Sequence, residues 1–178
     1  MRLIVDPGIF HTFPGVLLGV LEVRSLDNGS DGTEALAALR AAEASLAGRF
    51  GTAPIPEHST IAPWREAYRR FGAKPKDHPS SIENLVRRIL KGQSLSSINP
   101  LVDAYNAISL GHLLPVGGED LDTLQGELRL TFAGPAEPAV RLLGEPEPRS
   151  PNPGEVIYTD DIGAVCRRWN WNRASTRP

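Results

Sequence analysis

The stretch Asn99-Pro100-Leu101-Val102-Asp103-Ala104-Tyr105-Asn106-Ala107-Ile108-Ser109-Leu110-Gly111 reads as a helix with both ends marked, and His112-Leu113-Leu114-Pro115-Val116-Gly117-Gly118 turns the chain after it. Asn99 offers a side-chain oxygen to the free N–H groups of a first turn. Pro100 loses nothing at a position whose N–H has no intrahelical partner, so the helix is expected to start there. Leu101, Val102, Tyr105 and Ile108 share one face at helical spacing, which predicts that face to be buried, and Gly111 is placed to take the left-handed conformation that closes the helix. Asp103 lies opposite part of that stripe, where a bond to a neighbouring backbone N–H or an arginine accounts for it, as capping accounts for Asn99.

Three further helices precede this one. Asp31 or Thr33 caps a helix running to about Phe50, with Leu36, Leu39, Leu46 and Phe50 as its buried stripe among closely packing alanines. Thr60-Ile61-Ala62-Pro63 opens a second, which carries Trp64, Tyr68 and Phe71 on one face and stops at Gly72. Ser80-Ser81-Ile82-Glu83 is a capping box for a third, with Ile82, Leu85, Val86 and Ile89 inward and Gly92 as its end. Residues 2–5 and 15–25 read as strands expected to pair, with a turn-rich loop over 26–32.

Beyond Gly118 the period changes. Glu127-Leu128-Arg129-Leu130-Thr131-Phe132 alternates polar and apolar residues, as an antiparallel strand with one wet face does, and residues 140–143 form a shorter candidate. The proline-rich residues 144–154 are loop. Residues 155–159 and 164–169 then make a hairpin around the turn Asp160-Asp161-Ile162-Gly163, whose adjacent aspartates read as turn formers rather than an acid–base pair. Strands at both ends with helices between them indicate an α+β fold, with an antiparallel or mixed β core and about four helices, in a single domain over 1–178.

Composition narrows the class. The chain has 178 residues, 40% of them hydrophobic, and one cysteine, Cys166, which excludes an intramolecular disulfide. No apolar run is long enough for a membrane span or a secretion signal, so a cytoplasmic protein without a membrane partner is expected. A net charge of −2 argues against a general nucleic-acid coat. Within residues 65–91, however, eight basic residues face three acidic ones. That run is either a solvated face laced with ion pairs or a compact patch for RNA backbone. The four histidines are scattered and no carboxylate or cysteine joins them at ligand spacing, so neither a metal nor a cofactor is expected. No phosphate-cradling glycine loop and no Gly-X-Ser-X-Gly elbow is present.

The residues 98–106, followed by Leu114-Pro115-Val116-Gly117-Gly118-Glu119-Asp120, resemble the B3/B4 domain of the phenylalanyl-tRNA synthetase β subunit. They are more similar still to free-standing B3/4 proteins, whose signature is matched by Trp64-Arg65-Glu66-Ala67-Tyr68, by Phe71-Gly72 and by Cys166-Arg167-Arg168-Trp169-Asn170-Trp171. The resemblance runs from Phe13-Pro14-Gly15 onward. It implies binding of tRNA or aminoacyl-tRNA and an editing hydrolysis of the ester of a misacylated tRNA of the tRNA-Phe kind; the alternative it leaves open is a module that binds an RNA end or an amino acid without catalysis.

Carried over residue by residue, the family's pocket keeps its asparagine as Asn106. Tyr105 replaces the usual threonine, Gly117 beside Gly118 replaces a histidine, and Cys166 and Arg167 stand where the synthetase has a glycine pair. Tyrosine specificity and catalysis are the properties these departures touch. Arg167, Arg168, Trp169, Asn170 and Trp171 combine charge, planar faces and an amide at one strand end. Such a set suits a nucleotide end, and it equally suits a strand whose tryptophans face the core while Asn170 serves a turn. Family members usually continue past this motif with another strand and a helix. The hairpin is therefore expected to leave an edge and an apolar face uncovered, Trp169 or Trp171 included.

Overall fold

The computed structural model describes residues 2–29, 31–50 and 54–175. Parts of the expected loop over 26–32 (Ser30) and the last residues, 176–178, lie outside them. The chain forms two compact units, one from Met1–Leu17, Glu66–Pro79 and Gly118–Pro178 and the other from Leu18–Arg65 and Ser80–Gly117.

The first unit is built on a five-stranded mixed sheet in the order β1 (Leu3–Val5), β2 (Leu128–Phe132), β3 (Val156–Thr159), β4 (Ala164–Arg167) and β5 (Asn172–Arg173). β1 runs parallel to β2, with Leu3 opposite Leu128 and Val5 opposite Leu130; the other pairs are antiparallel. Strand β1 thus takes β2 as its partner, and the expected strand over 15–25 does not form. Its backbone carries no ladder bonds, the Val16 N–H only closing a turn onto Phe13 O, and Leu17 stands 93% exposed. Apolar alternation alone did not secure a partner.

Between β1 and that segment lies helix α1 (Pro7–Thr12), which the Pro7-Gly8 pair disguises in the sequence. Asp6 caps it by accepting from Gly8 N at 2.7 Å, and its other oxygen accepts from the Thr131 hydroxyl on β2 at 3.0 Å. The short strand expected over 140–143 reduces to two isolated bridges, Val140 to Arg149 and Leu142 to Ala174, because proline and glycine interrupt the ladder on either side. The turn after β3 is as expected. Asp160 accepts from the N–H groups of Ile162 and Gly163, and its second oxygen takes Gln125 N at 2.9 Å.

The hairpin edge is not bare. β4 continues through a four-residue loop, 168–171, into β5, which pairs Cys166 with Arg173 and covers the edge expected to be open. Trp169 is 3% exposed, its ring 5.0 Å from Phe13 in an edge contact, and Phe13 also meets Phe71 and Phe132. The expectation of an uncovered Trp169 therefore fails, because aromatic rings from α1's end, β2 and residue 71 fill that side.

The second unit is helical. It holds α2 (Thr33–Phe50), the start of α3 (Ala62–Arg70), α4 (Ser81–Leu90) and α5 (Pro100–His112). Leu39, Leu46, Phe50, Ile61, Ile82, Val86, Leu95, Leu110 and Leu113 form its core. The caps follow the sequence: Asp31 accepts from Thr33 N, Ser80 from Glu83 N and Asn99 from Val102 N at 2.9 Å.

Helix α5 departs from expectation on two counts. Its C-cap is Leu113 at φ 56°, not Gly111, so the helix runs one residue past the glycine. Its buried face carries Asp103, Ser109 and Leu110, while Leu101 and Ile108 are 39% and 54% exposed. Polar residues win those buried positions because each finds partners. Asp103 accepts from Ser97 Oγ and Ile98 N, and the Ser109 hydroxyl donates to Leu114 O.

Candidate functional site

In the first unit, the loop that joins β4 to β5 positions the chemistry. Two consecutive non-glycine residues there adopt left-handed backbone, Arg168 at φ 48° and Trp169 at φ 64°, each costing about 1–2 kcal/mol. The surroundings hold them: Trp169 N donates to Val156 O at 2.7 Å, Trp171 N to Arg167 O at 3.1 Å, and the Trp169 side chain hydrogen-bonds Tyr158. One result is that the side chains of residues 167–171 divide between interior and surface.

Arg167 is committed inward. Its Nε and Nη2 donate to the two oxygens of Glu155 at 2.8 and 2.7 Å, and both side chains are almost wholly buried. Glu155 also accepts from Arg168 N and from Asn152 N and Nδ2, which fills its acceptor capacity. Burial alone would raise this carboxyl, but the Arg167 bonds and the charges of Arg168 and Arg167 outweigh it and hold the acid below its ordinary value. One carboxylate is thus shared between two buried guanidiniums.

Arg168 is the one left over. Its side chain is 9% exposed, its Nε lies 3.9 Å from Glu155, and among the described residues its Nη1 is buried with no hydrogen-bond partner. The guanidinium carbon stacks over the Trp171 ring at 4.3 Å, and the His78 ring meets the same indole edge-on at 4.6 Å. His78 Nδ1 is likewise buried without a partner, and desolvation together with the Arg168 charge pushes the imidazole below its usual value, so it is neutral near pH 7. These groups line a cleft of about 310 Å³ with Val140 and Leu142; the buried Arg168 marks its floor, and the exposed Asp77, Glu147 and Arg149 with the half-buried Glu145 mark its mouth.

The remaining members of the expected set lie elsewhere. Asn170 Oδ1 accepts from the buried Tyr68 hydroxyl at 2.9 Å, and desolvation raises that phenol well above its ordinary range. Cys166 is buried in β4, and burial pushes its thiol up to about 12, which removes it as a nucleophile at neutral pH. Tyr105 and Asn106 are half-buried on α5 in the second unit. Gly117 ends that unit, with open space where a Cβ would sit, and Gly118 opens the next segment of the first.

Four candidate residues carry no functional signal in the sequence: His78, Glu155, Glu145 and Glu147. The sequence presents His78 only as a candidate metal ligand, and Glu155 only as the first residue of a strand. The available signal was the Arg-Arg pair at the end of an apolar strand, which requires a buried acid nearby. Among the described residues, no cluster of histidine, cysteine and carboxylate groups can hold a metal ion, and no helix is long and apolar enough to cross a membrane.

A family model described as the B3/4 domain matches residues 63–176, about two thirds of the chain, and takes in α5, the cleft and the β4–β5 loop. The chain belongs to the B3/4 domain family. As a B3/4 domain it keeps an α+β architecture with a mixed five-stranded sheet and five helices among the described residues. No curated protein and no solved structure shows significant similarity to it.

Proposed function

We propose that this B3/4 domain works on aminoacylated RNA in trans, binding the acceptor end of a tRNA and hydrolysing the ester of a misplaced amino acid. The observation that carries the reading is the family match, which spans both the helix bearing Asn106 and the loop bearing Arg168 and Trp171. An aminoacyl ester is already activated, so a held water and a donor for the developing oxyanion suffice without a side-chain nucleophile, in keeping with the inert Cys166 thiol. Exposed Arg69, Lys74 and Lys76 supply cationic contacts for RNA backbone.

A second reading, binding without hydrolysis, is favoured by one observation: Gly117 stands where the synthetase domain has a histidine, and open space surrounds it. Incubation with a panel of mischarged tRNAs separates the two. Release of one amino acid faster than the uncatalysed rate, abolished by Asn106→Ala, supports hydrolysis. RNA retention without release supports the binding module, and neither retention nor release overturns both. Binding should be weak and salt-sensitive, each phosphate contact contributing a slope of about −0.7 in log K against log salt for a single strand.

A further inference from the structure

The cleft beside Trp171 has a charge pattern that its fold does not require. The floor is positive, because two guanidiniums share one carboxylate there and Arg168 Nη1 aims no hydrogen bond at any described residue. The mouth is negative, because Asp77, Glu145 and Glu147 outnumber Arg149. Among the described residues, no hydrogen bond or ion pair ties the side chains of Glu147 or Arg149 to the protein, and Glu145, which bonds to none, acts on Arg168 through its charge alone. Leaving a buried polar atom without a partner is costly, and a 310 Å³ cavity that keeps two of them, the charged Arg168 Nη1 and Nδ1 of the neutral His78, is built to have them met from outside.

The distribution decides which outside group meets them. A phosphate would satisfy Arg168 but bring up to two further negative charges past three carboxylates, and like charges at close range repel. A simple amine would suit the mouth and leave the floor unmet. A small molecule with a carboxylate at one end and an ammonium group a few ångströms away meets both, and its apolar remainder can lie on Val140, Leu142 and the Trp171 ring. The volume is at the small end of the about 300–1,000 Å³ usual for ligand pockets, which fits a single metabolite rather than a polymer.

We propose that this cleft binds a free α-amino acid as its zwitterion, the carboxylate on Arg168 Nη1 and His78 Nδ1, the ammonium group among Glu145, Glu147 and Asp77. The proposal goes beyond the editing reading, since an aminoacyl ester has no free carboxylate to offer Arg168, and it stands whether or not the protein hydrolyses esters. It gives the domain a site for sensing free amino acid in addition to any RNA.

The test is calorimetric titration of the whole chain with the twenty amino acids. For the best binder, the acid lacking the amine, the amine lacking the acid, the methyl ester, and inorganic phosphate are then titrated as well. The expected result is that the free amino acid binds at least about tenfold more tightly than every one of these. Arg168→Gln should weaken binding about tenfold to a hundredfold, the range for a lost charge-assisted bond. The double variant Glu145→Gln/Glu147→Gln changes one half-buried and one exposed side chain and leaves the buried Arg167–Glu155 pair intact. It should weaken the amino acid about three- to tenfold while leaving the acid lacking the amine bound as well or better. No binding by any amino acid at millimolar concentration overturns the proposal. So does tighter binding of phosphate, which would make the floor an RNA backbone contact. Equal binding of the methyl ester also overturns it and assigns the cleft to the ester substrate. The deacylation assay is read separately, so failure there leaves this outcome untouched.

Discussion

Replacing Glu155 with glutamine removes one negative charge and almost no volume, at a place where that charge is shared by two buried guanidiniums. The wild-type carboxylate accepts from Arg167 at 2.8 and 2.7 Å and from Arg168 N at 3.1 Å, and the Arg167–Glu155 pair is too deeply buried for solvent screening to discount it. Breaking a buried pair by neutralising one partner leaves the other charge uncompensated and costs about 3–5 kcal/mol, a large share of the about 5–15 kcal/mol that holds a typical domain. For a chain of this length each kcal/mol shifts the melting temperature by about 2–4 °C, so a fall of roughly 6–20 °C is expected. Trp169 and Trp171 lie in the unit that holds the pair and Trp64 in the other, so urea unfolding followed by tryptophan fluorescence in a Trp64→Phe background reads the affected unit. In the Glu155→Gln background, Arg167→Met should then cost less than it does in the wild type, because it removes an orphaned charge instead of creating one. A loss below about 1 kcal/mol for Glu155→Gln, or additive losses in the double variant, would refute the account of one carboxylate neutralising this interior.

Acid should destabilise the protein in two windows. Folding lowers the His78 value, so stability is fully present above the unfolded value of 6.5 and declines below it, and Glu155 adds a second loss as pH falls beneath 4.5; urea midpoints measured from pH 8 to pH 3 should fall in that order, and His78→Gln should flatten the first decline. Gly117→His enters open space at a φ that needs no glycine, so its melting temperature should stay within about 2 °C of wild type; if the editing reading holds, its deacylation rate should rise, and an unchanged rate places the missing catalytic element elsewhere. Asn99→Ala removes the acceptor for Val102 N and should cost about 1 kcal/mol in urea unfolding, with Asn99→Asp nearly neutral.

Features determined within a few residues were legible in the chain. Asn99, Ser80 and Asp31 cap the helices they were expected to cap, since a cap needs only a side-chain oxygen and an N–H two or three residues on. What the chain hid was polar burial. Periodicity assigns carboxylates to the surface, yet Glu43, Glu83, Asp103 and Glu155 are all buried. Their partners explain each case: Glu43 takes Leu95 N and Arg40, Glu83 takes Arg65 and Arg87, and Glu155 takes Arg167. Several of these lie 12 to 52 residues away in sequence, where no local pattern reaches. The same cause misplaced the core face of α5, whose aliphatic Leu101 and Ile108 gave way to a hydrogen-bonded Asp103.

The site was half legible for a related reason. The Arg167–Trp171 run was recognisable as charge and aromatic surface, but only the left-handed turn at Arg168 and Trp169 settles which members face out. Arg167 and Trp169 went to the interior, while Arg168 and Trp171 were left at the cleft. Two-residue β5 is below the length at which alternation carries any signal, so the covered edge of β4 could not be read either.

The burial of Cys166 has a use outside function. This is the chain's one thiol, it sits in a strand paired on both sides, and at neutral pH it is protonated as well as shielded. A thiol reagent added to the native protein can therefore react only with molecules in which β3, β4 and β5 have parted, and the labelling rate becomes a clock for the opening of that sheet, readable without denaturant and without introducing a probe.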